Sequence, residues 1–439
     1  MAYMKDSTGR RLDSFHVAGM EAVGSRNTFA VMGDSLEQRA QTTSGTIGTS
    51  ASYTMFDANK GFVPWLQAFL GGRLRLVTNV AVGGSNTNAW ISNGQVSAIV
   101  AAAPAWCLVG APTNDREQSF AVATSKANMT AIFDSLSEAG IKVVAMGLTP
   151  RSAMTAGQQA FTVDYNEWLR SLDRPNFYIA DPFRQLTNGG TSGTWVDPSS
   201  QKWTQEGLHP LSWSCARMAR VAADVMAPIV PFLDPRPVGG LDFRSSGAAS
   251  PNILLDAGLV DGTGGTVGKG GTGTIASNFT LTSSDGANFA GAVAASIVSP
   301  TDQTALPWQQ LAITGTASKP RVNQTGITTG FTPGTSKIRG EVELDMDADL
   351  SAATKLALGV QVNLSTGGFF ESRWDWTPNA GDFPVENRLT KDKDGHYPVI
   401  FTPTVDIPAV ASSVAWYFEY NGLGTVRFRS PALRIDPTF

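Results

Sequence analysis

The chain has 439 residues, a length that suggests two or three domains of about 150 residues each. Hydrophobic residues make up 42% of it, enough to build cores, whereas charged residues make up only 16% and glycine occurs 45 times, a composition that favours a β-rich extracellular or virion protein over a cytosolic enzyme. The net charge of −4, without a long lysine or arginine run, argues against nucleic acid as a partner.

The N-terminal segment, residues 1–26, carries charges but no apolar core behind them, so we expect no signal peptide in the chain. The nearest candidate for a membrane span, Val96–Val109, is interrupted by Pro104 and is too short. Membrane insertion is therefore not expected. The two cysteines, Cys107 and Cys215, lie in apolar surroundings and are interpreted as buried thiols.

Residues 27–230 alternate short apolar runs with helical patterns, and we assign them to one domain. The apolar runs are Phe29–Met32, Leu74–Val80, Ala105–Val109, Lys142–Met146 and Phe177–Ala180. Strand-helix alternation with continuous apolar strands predicts an α/β fold with a parallel sheet covered on both faces. In such a fold the ligand crevice lies at the carboxyl ends of the strands.

The first three apolar runs each lead into a polar or glycine-rich turn. The first meets Gly33-Asp34-Ser35, the second continues as "NVAVGG" with Gly83 and Gly84, and the third continues as "GAPTND" with Asn114. Each turn has an ordinary explanation as turn chemistry. Glycine, however, lets a backbone amide approach a ligand closely, and an amide side chain at a strand end is a suitable oxyanion donor.

A serine nucleophile needs a base, and the chain offers only three histidines. His16 precedes the first strand and His396 lies in the β-rich half, so both are interpreted as surface or packing residues. His209 follows the last α/β run in "EGLHP", on a loop that can return to the sheet edge near Ser35. Glu206, three residues earlier, can face the other ring nitrogen, although a solvated glutamate in a turn remains the alternative. The histidines are too scattered for a zinc site, and we expect no metal or other cofactor.

The pattern changes after a proline-rich stretch, and residues 231–245 are interpreted as a linker. Residues 246–439 show period-two alternation between turns, which predicts an antiparallel, jelly-roll-like β-sandwich. The glycine-rich stretch Asp261–Gly273 is not a phosphate-binding loop. Thr263 stands where that motif needs glycine, and Gly270 follows the lysine where it needs serine or threonine.

Four motifs in this order, "GDSL", "NVAVGG", "TND" and "EGLHP", resemble those of the SGNH or GDSL hydrolases over about half of the chain. This family implies a flavodoxin-like, three-layer α/β/α fold and a serine esterase or lipase activity without a cofactor. The resemblance implies that Ser35 is the nucleophile and His209 the base. It also implies three oxyanion donors, the backbone N–H groups of Ser35 and Gly84 and the side chain of Asn114.

Two positions depart from the family pattern. The family has aspartate three residues before the histidine, where this chain has Glu206, so Asp197 in "TWVDPSS" is a reserve candidate for the acid of the triad. The family also has glycine two residues before the asparagine, where this chain has Pro112. Glutamate can orient an imidazole as aspartate does, but its extra methylene requires a shifted backbone.

Tryptophans are candidates for contacts with a sugar. Trp90 and Trp203 lie close to the catalytic motifs and are candidates for lining an acyl or sugar pocket. The C-terminal half loosely resembles carbohydrate-binding modules, in which tryptophans stack on sugar rings, but tryptophans of a sandwich are as readily part of its core. The four concerned are Trp308, Trp374, Trp376 and Trp416.

The opening stretch "MKDSTGRRLDSFHVAG" resembles the start of phage tail proteins that carry hydrolase domains. We therefore expect a virion-tail or extracellular esterase that removes acyl groups, O-acetyl in particular, from a polysaccharide. A homo-oligomer such as a trimer, or a tail assembly, would suit this role.

Two other functions remain open. A lipase or lysophospholipase of the same family would need an apolar surface near Ser35, where the flanking sequence is polar. A glycan-binding adhesin on this scaffold would be expected to have lost the nucleophile or the base. A glycosidase is disfavoured because no second carboxylate pair is evident.

Overall fold

The computed structural model describes residues 27–38, 42–47, 51–58, 61–152, 154–187, 204, 207–230, 252–255, 259, 263–299, 306–315, 318–346, 353–376 and 397–435. The N-terminal segment and the proposed linker lie outside the described residues, as do His16, Asp197, Trp203, Glu206 and His396.

The helices are α1 Ser35–Gln38, α2 Val63–Phe69, α3 Thr87–Ser92, α4 Gln95–Ala102, α5 Thr113–Glu117, α6 Val122–Glu138, α7 Ala156–Ser171 and α8 Ser212–Met226. The strands are β1 Thr28–Met32, β2 Thr42–Ile47, β3 Ala51–Asp57, β4 Arg75–Asn79, β5 Trp106–Val109, β6 Lys142–Met146, β7 Phe177–Ala180, β8 Thr266–Val267, β9 Thr272–Gly273, β10 Thr280–Ser283, β11 Val293–Val298, β12 Trp308–Ile313, β13 Pro320–Ile327, β14 Lys337–Met346, β15 Lys355–Leu364, β16 Phe369–Trp376, β17 Val399–Phe401, β18 Val405–Asp406, β19 Ala411–Asn421 and β20 Gly424–Ile435.

The α/β part is built on a parallel sheet in the order β4-β1-β5-β6-β7. This is the order of flavodoxin-like folds, so the predicted fold class is confirmed. Strands β1 and β5 are fully buried because helices cover both faces of the sheet. Helix α6 packs on one face through the side chains that the helical spacing predicted, which are Met129, Ile132, Phe133 and Leu136. Helices α2 and α8 cover the other face.

The C-terminal half consists of β-strands in two packed sheets, as the alternating pattern predicted. Within the described residues one sheet runs β2-β3-β16-β15-β19-β13-β10-β8, and the other runs β17-β14-β20-β12-β11-β9 with β18 paired to β14. Trp416 on β19 lies between the sheets and is fully buried, and its indole donates to the carbonyl of Glu341 on β14. Gly340 leaves room there, since an added Cβ would lie 2.8 Å from Val360.

The position of strands β2 and β3 differs from the expectation, because the sequence analysis placed residues 42–57 inside the α/β domain. They form a hairpin, and β3 pairs in parallel with β16 of the sandwich from Ala51 to Asp57. The stretch is rich in threonine and serine and has no strong apolar alternation of its own. Its strand structure depends on a partner more than 300 residues later in the chain.

The α/β part and the sandwich also share a core. Trp65 of helix α2 is fully buried, and its ring centroid lies 5.2 Å from that of Trp374 on β16, edge to face. The ring centroid of Trp65 also lies 6.4 Å from that of Trp376 on the same strand. One continuous group of buried side chains therefore extends from the parallel sheet into the sandwich.

Candidate active site

Ser35 is the first residue of helix α1 and directly follows the carboxyl end of β1. The turn before it is held by a reciprocal cap. Asp34 Oδ1 accepts from the N–H of Leu36 at 3.0 Å, and Glu37 Oε2 accepts from the N–H of Asp34 at 3.1 Å. This D-x-x-E arrangement satisfies two N–H groups that would otherwise be unpaired at a helix start. It fixes the direction in which Ser35 leaves the sheet.

Glycines make room for the buried side chain of Glu37. At Gly33, where φ is +154°, an added Cβ would lie 2.3 Å from Glu37 Oε2. At Gly110, an added Cβ would lie 2.4 Å from Glu37 Cδ. A side chain at either position would force Glu37 to shift, because real Cβ atoms do not approach other heavy atoms this closely. The sequence analysis missed Glu37, although the D-x-x-E spacing was a signal that could have found it.

Ser35 and His209 are 174 residues apart in the chain and meet at the sheet edge. Ser35 Oγ lies 2.8 Å from His209 Nε2, which is hydrogen-bond distance, and both residues are half-buried. A base within this distance of a hydroxyl is placed to take its proton. The structure therefore brings together the two residues that the sequence analysis assigned as nucleophile and base.

The loop that carries His209 is tied to the rest of the α/β part. Thr204 forms an antiparallel bridge with Pro210, and the hydroxyl of Thr204 accepts from the N–H of Gly207 at 2.9 Å. The carbonyl of Gly207 in turn accepts from the N–H of Ser152, also at 2.9 Å. Gly207 has a φ of +85°, and a Cβ there would lie 2.9 Å from Ser152 Cβ. The close approach of this loop to Ser152 thus requires glycine.

The loop that carries Gly83 and Gly84 lies beside Ser35. An added Cβ at Gly83 would lie 3.6 Å from Ser35 Cβ, and the N–H of Gly83 donates to Gln38 Oε1 at 2.9 Å. Gly84 has a φ of +77°. Within the described residues, no hydrogen bond is found from the N–H of Ser35 or from that of Gly84.

Asn114, the third expected oxyanion donor, lies at the same edge with both amide hydrogens engaged. Its Nδ2 donates to Asp34 Oδ2 and to the carbonyl of Ser85, each at 3.1 Å. The side chain thus connects the three turns that follow β1, β4 and β5. It can donate to an oxyanion only if one of these two bonds is released or shared.

Two buried carboxyl groups, those of Asp34 and Glu37, lie at the turn that carries Ser35. Burial raises the pKa of Asp34 to about 6, against the opposing effects of the Leu36 N–H and of the Arg116 charge. Burial and the neighbouring charge of Asp34 also raise the pKa of Glu37 well above its ordinary value. Arg116 is itself buried and donates to the carbonyl of Thr149 at 2.7 Å.

The expectation that Trp90 lines an acyl or sugar pocket is wrong. It is fully buried, and its indole N–H donates to Ser85 Oγ at 2.9 Å, which holds the glycine loop from below. An indole with its N–H satisfied inside the protein is a core residue. The four sandwich tryptophans are also buried, which favours the core interpretation over sugar stacking. Trp203 and both acid candidates, Glu206 and Asp197, fall outside the described residues.

Polar side chains surround Ser35. Gln38 is exposed, Gln118 donates to the carbonyl of Gly84 at 3.3 Å, and Asn86 donates to Gln118 at 2.6 Å. Among the described residues, no cluster of histidine, cysteine and carboxylate side chains is suited to a metal ion. None of the helices in that part of the chain is long and apolar enough to cross a membrane.

Residues 31–212 match the GDSL-like lipase/acylhydrolase family. A search of curated proteins finds no match. Among solved structures, a member of the lipolytic G-D-S-L family from Veillonella parvula is 17% identical, with 46% of this chain and 99% of that chain covered and a TM-score of 0.36. An acetylxylan esterase from Geobacillus stearothermophilus is 13% identical, with 45% and 93% covered and a TM-score of 0.33. The enzymatically active domain of tailspike protein 4 of bacteriophage CBA120 is 15% identical, with 36% and 19% covered and a TM-score of 0.25.

Proposed function

Since residues 31–212 form an α/β domain of the GDSL-like lipase/acylhydrolase type, we propose that this chain is a serine esterase that removes acyl groups, O-acetyl in particular, from a polysaccharide. The observation that carries the proposal is the 2.8 Å contact between Ser35 Oγ and His209 Nε2 at the carboxyl edge of the parallel sheet. A hydroxyl paired with an imidazole at an exposed sheet edge is the arrangement that acyl transfer needs.

In the proposed mechanism His209 takes the proton of the Ser35 hydroxyl as its oxygen attacks the ester carbonyl. The tetrahedral intermediate collapses as His209 gives that proton to the leaving alcohol, which leaves an acyl group on Ser35. Water then attacks the acyl-enzyme with the same base, and the acid is released. Glu206 is proposed to orient the imidazole, with Asp197 as the reserve. No cofactor takes part in these steps.

The developing oxyanion is proposed to be held by the N–H groups of Ser35 and Gly84, which donate to nothing else in the described residues. Asn114 is proposed as a third donor. This role requires that one amide hydrogen leave the Ser85 carbonyl or Asp34 as negative charge develops on the substrate oxygen. If Asn114 acts as such a donor, we expect Asn114→Ala to lower kcat by about 10²–10³.

A short acyl group on a sugar suits the surroundings of Ser35 better than a long acyl chain does. Gln38, Asn86 and Gln118 place amide groups near the serine, and Val82 is the exposed large apolar side chain of the adjoining loop within the described residues. Lipases need a broad apolar surface for the acyl chain. The polar surroundings therefore favour a carbohydrate ester.

From the opening sequence and the low charge, we also propose that the protein belongs to a virion tail or another extracellular assembly that acts on a host surface polysaccharide. A trimer would suit this location. Light scattering of the full chain tests it, with a mass near three times 46.4 kDa expected and a monomer as the contrary result.

The test of the activity is hydrolysis of p-nitrophenyl acetate, butyrate and octanoate by the wild type, Ser35→Ala and His209→Gln. Ser137→Ala, which changes an exposed serine on helix α6, is the matched control. We expect acetate to be the best substrate and the first two variants to lose several orders of magnitude in kcat, up to about 10⁶. Preference for octanoate would favour the lipase alternative. Equal inactivity of all four proteins would favour the adhesin.

A further inference from the structure

The loop after strand β4 contains a tight turn, residues 82–85, which we call the glycine turn. The N–H of Ser85 donates to the carbonyl of Val82 at 3.2 Å, so Gly83 and Gly84 are the two central residues. The φ of Gly84 is +77°, as expected for the third residue of a type II turn, where glycine avoids strain. The N–H of Gly84 belongs to the peptide between the two glycines, at the tip of the turn.

The two ends of the glycine turn are tied to the sheet edge. The N–H of Val82 donates to the carbonyl of Gly33 at 3.2 Å. At the other end, Ser85 is buried, and its carbonyl accepts from Asn114 Nδ2 at 3.1 Å. These bonds fix the ends of the turn but do not reach its tip, where both glycines are exposed. Glycine has more backbone freedom than any other residue, so a tip of two glycines depends on its neighbours for a fixed position.

Two glutamine side chains hold this tip. Gln38 Oε1 accepts from the N–H of Gly83 at 2.9 Å, and Gln118 Nε2 donates to the carbonyl of Gly84 at 3.3 Å. The peptide that carries the Gly84 N–H is thus held on both sides. The fit on the first side is close, because an added Cβ at Gly83 would lie 2.5 Å from Gln38 Oε1.

The two glutamines are attached to the helices that carry Ser35 and Asn114. Gln38 is the last residue of helix α1, which begins at Ser35, and its N–H donates to the carbonyl of Asp34 at 2.8 Å. Gln118 directly follows helix α5, and its N–H donates to the carbonyl of Asn114, also at 2.8 Å. The tip of the glycine turn is therefore held from the helix of the serine on one side and from the helix of the asparagine on the other.

A chain of hydrogen bonds fixes which way the amide of Gln118 faces. The N–H of Ala89 donates to Asn86 Oδ1 at 3.0 Å, and Asn86 Nδ2 donates to Gln118 Oε1 at 2.6 Å. This leaves the NH2 group of Gln118 for the carbonyl of Gly84, because an amide side chain has one oxygen that accepts and one nitrogen that donates. For Gln38 the backbone N–H that it meets can only donate, and therefore selects the amide oxygen.

Both glutamines are exposed, so their hydrogen bonds are expected to contribute little to the stability of the fold. They act on the position of the tip, which adjoins the serine directly. An added Cβ at Gly83 would lie 3.6 Å from Ser35 Cβ. An oxyanion donor is effective when it is held in place before the reaction, and a displacement of about 1 Å can cost about a hundredfold in rate.

We propose that Gln38 and Gln118 are positioning residues, which hold the tip of the glycine turn so that the N–H of Gly84 meets the oxyanion formed at Ser35. This inference rests on the proposed function, in which Gly84 is an oxyanion donor. Each glutamine acts through the backbone of the turn and not on the substrate.

Gln38→Met and Gln118→Met test the proposal, because methionine keeps the length of the side chain and removes the amide. Gln159→Met is the matched control, since Gln159 on helix α7 also donates to a backbone carbonyl, that of Met154 at 3.4 Å, outside the glycine turn. Hydrogen exchange of the full chains, followed by mass spectrometry of peptides that cover residues 82–85, measures the hold without any substrate. We expect faster exchange there in both test variants, by about tenfold in Gln38→Met, which takes the acceptor from the Gly83 N–H.

The catalytic readout is kcat and KM for p-nitrophenyl acetate, an ester that has no sugar for an amide to contact. Because the oxyanion forms only in the reaction, we expect each test variant to lower kcat by about tenfold and to leave KM within about threefold of the wild type. Phenylboronic acid forms a tetrahedral adduct with a serine and places an oxygen where the oxyanion would lie. Its Ki should therefore rise by about the same factor as kcat falls, whereas the control should match the wild type in all three quantities.

Unchanged exchange in Gln38→Met, or unchanged kcat in both test variants, would overturn the proposal. A rise in KM without a fall in kcat would also contradict it, because the glutamines would then contact the substrate. Thermal unfolding should give the same Tm for all four proteins within about 1 °C, and a large fall in Tm in the test variants would replace positioning by a structural role. An inactive wild type would overturn the proposed function and this inference with it, whereas an active wild type with unchanged kcat in the variants overturns this inference alone.

Discussion

Gly33→Ala should destabilise the turn that carries Ser35, because the added Cβ clashes with the side chain of Glu37. The added Cβ would lie 2.3 Å from Glu37 Oε2 and 2.7 Å from Glu37 Cδ, about 1 Å inside ordinary contact. Glu37 is fully enclosed and has little room to retreat, since Gly110 touches it from the other side. Overpacking of this kind costs about 1–3 kcal/mol. If both parts of the 439-residue chain unfold in one transition, that is a fall of about 1–3 °C in Tm.

The assay is thermal unfolding of four proteins, the wild type, Gly33→Ala, Glu37→Ala and the double variant. Because Glu37→Ala removes the atoms with which the new Cβ collides, the double variant should lose less than the sum of the two single losses, with a coupling of about 1 kcal/mol or more. Gly140→Ala is the control, because Gly140 also has a positive φ, +74°, but nothing lies within 4 Å of its added Cβ. The reasoning is refuted if Gly33→Ala costs no more than Gly140→Ala, or if the two changes at 33 and 37 are additive.

Three further predictions concern other parts of the structure. Because burial raises the pKa of Asp34 to about 6, the folded chain binds this proton more tightly than the unfolded chain does. The contribution of Asp34 to stability is therefore largest below about pH 4 and falls by about 3 kcal/mol as the pH rises through about 6. Asp34→Asn should remove this part of the pH dependence of stability in urea unfolding. Gly207→Ala should lower kcat on p-nitrophenyl acetate, because the added Cβ would clash with Ser152 and displace the loop that carries His209. Adding Ser152→Gly should restore part of the lost kcat. No restoration would refute the contact between Gly207 and Ser152. Trp65→Ala should lower the free energy of unfolding by about 3–5 kcal/mol, because Trp65 packs on Trp374 across the shared core. Both parts of the chain should still unfold in one transition at a lower temperature, seen as coincident melts by circular dichroism and fluorescence. Separate transitions, with only one of them shifted, would contradict that last expectation.

The parallel sheet was predictable because its strands are continuous apolar runs separated by helices, and this pattern has few alternatives. The approach of Ser35 and His209 was also expected, since residues that follow parallel strands meet at the same sheet edge however far apart they lie in the chain. Their roles stay predictions until an activity is measured.

The features that sequence reasoning missed depend on partners that are remote or unusual. The hairpin β2–β3 has a polar composition and becomes part of a sheet only through β16, far along the chain. Trp90 is buried because Ser85 satisfies its indole N–H, a pairing that cannot be seen from composition. Glu37 is buried against the usual tendency of glutamate, because a cap and two glycines accommodate it.

The most direct test of the central claim is covalent labelling of the full chain with a fluorophosphonate, followed by mass spectrometry of its peptides. Our account predicts one adduct, on Ser35, that is absent in Ser35→Ala and forms far more slowly in His209→Gln, because the hydroxyl reacts only when the imidazole takes its proton. Labelling on another serine, or the same rate of labelling in His209→Gln as in the wild type, would contradict it.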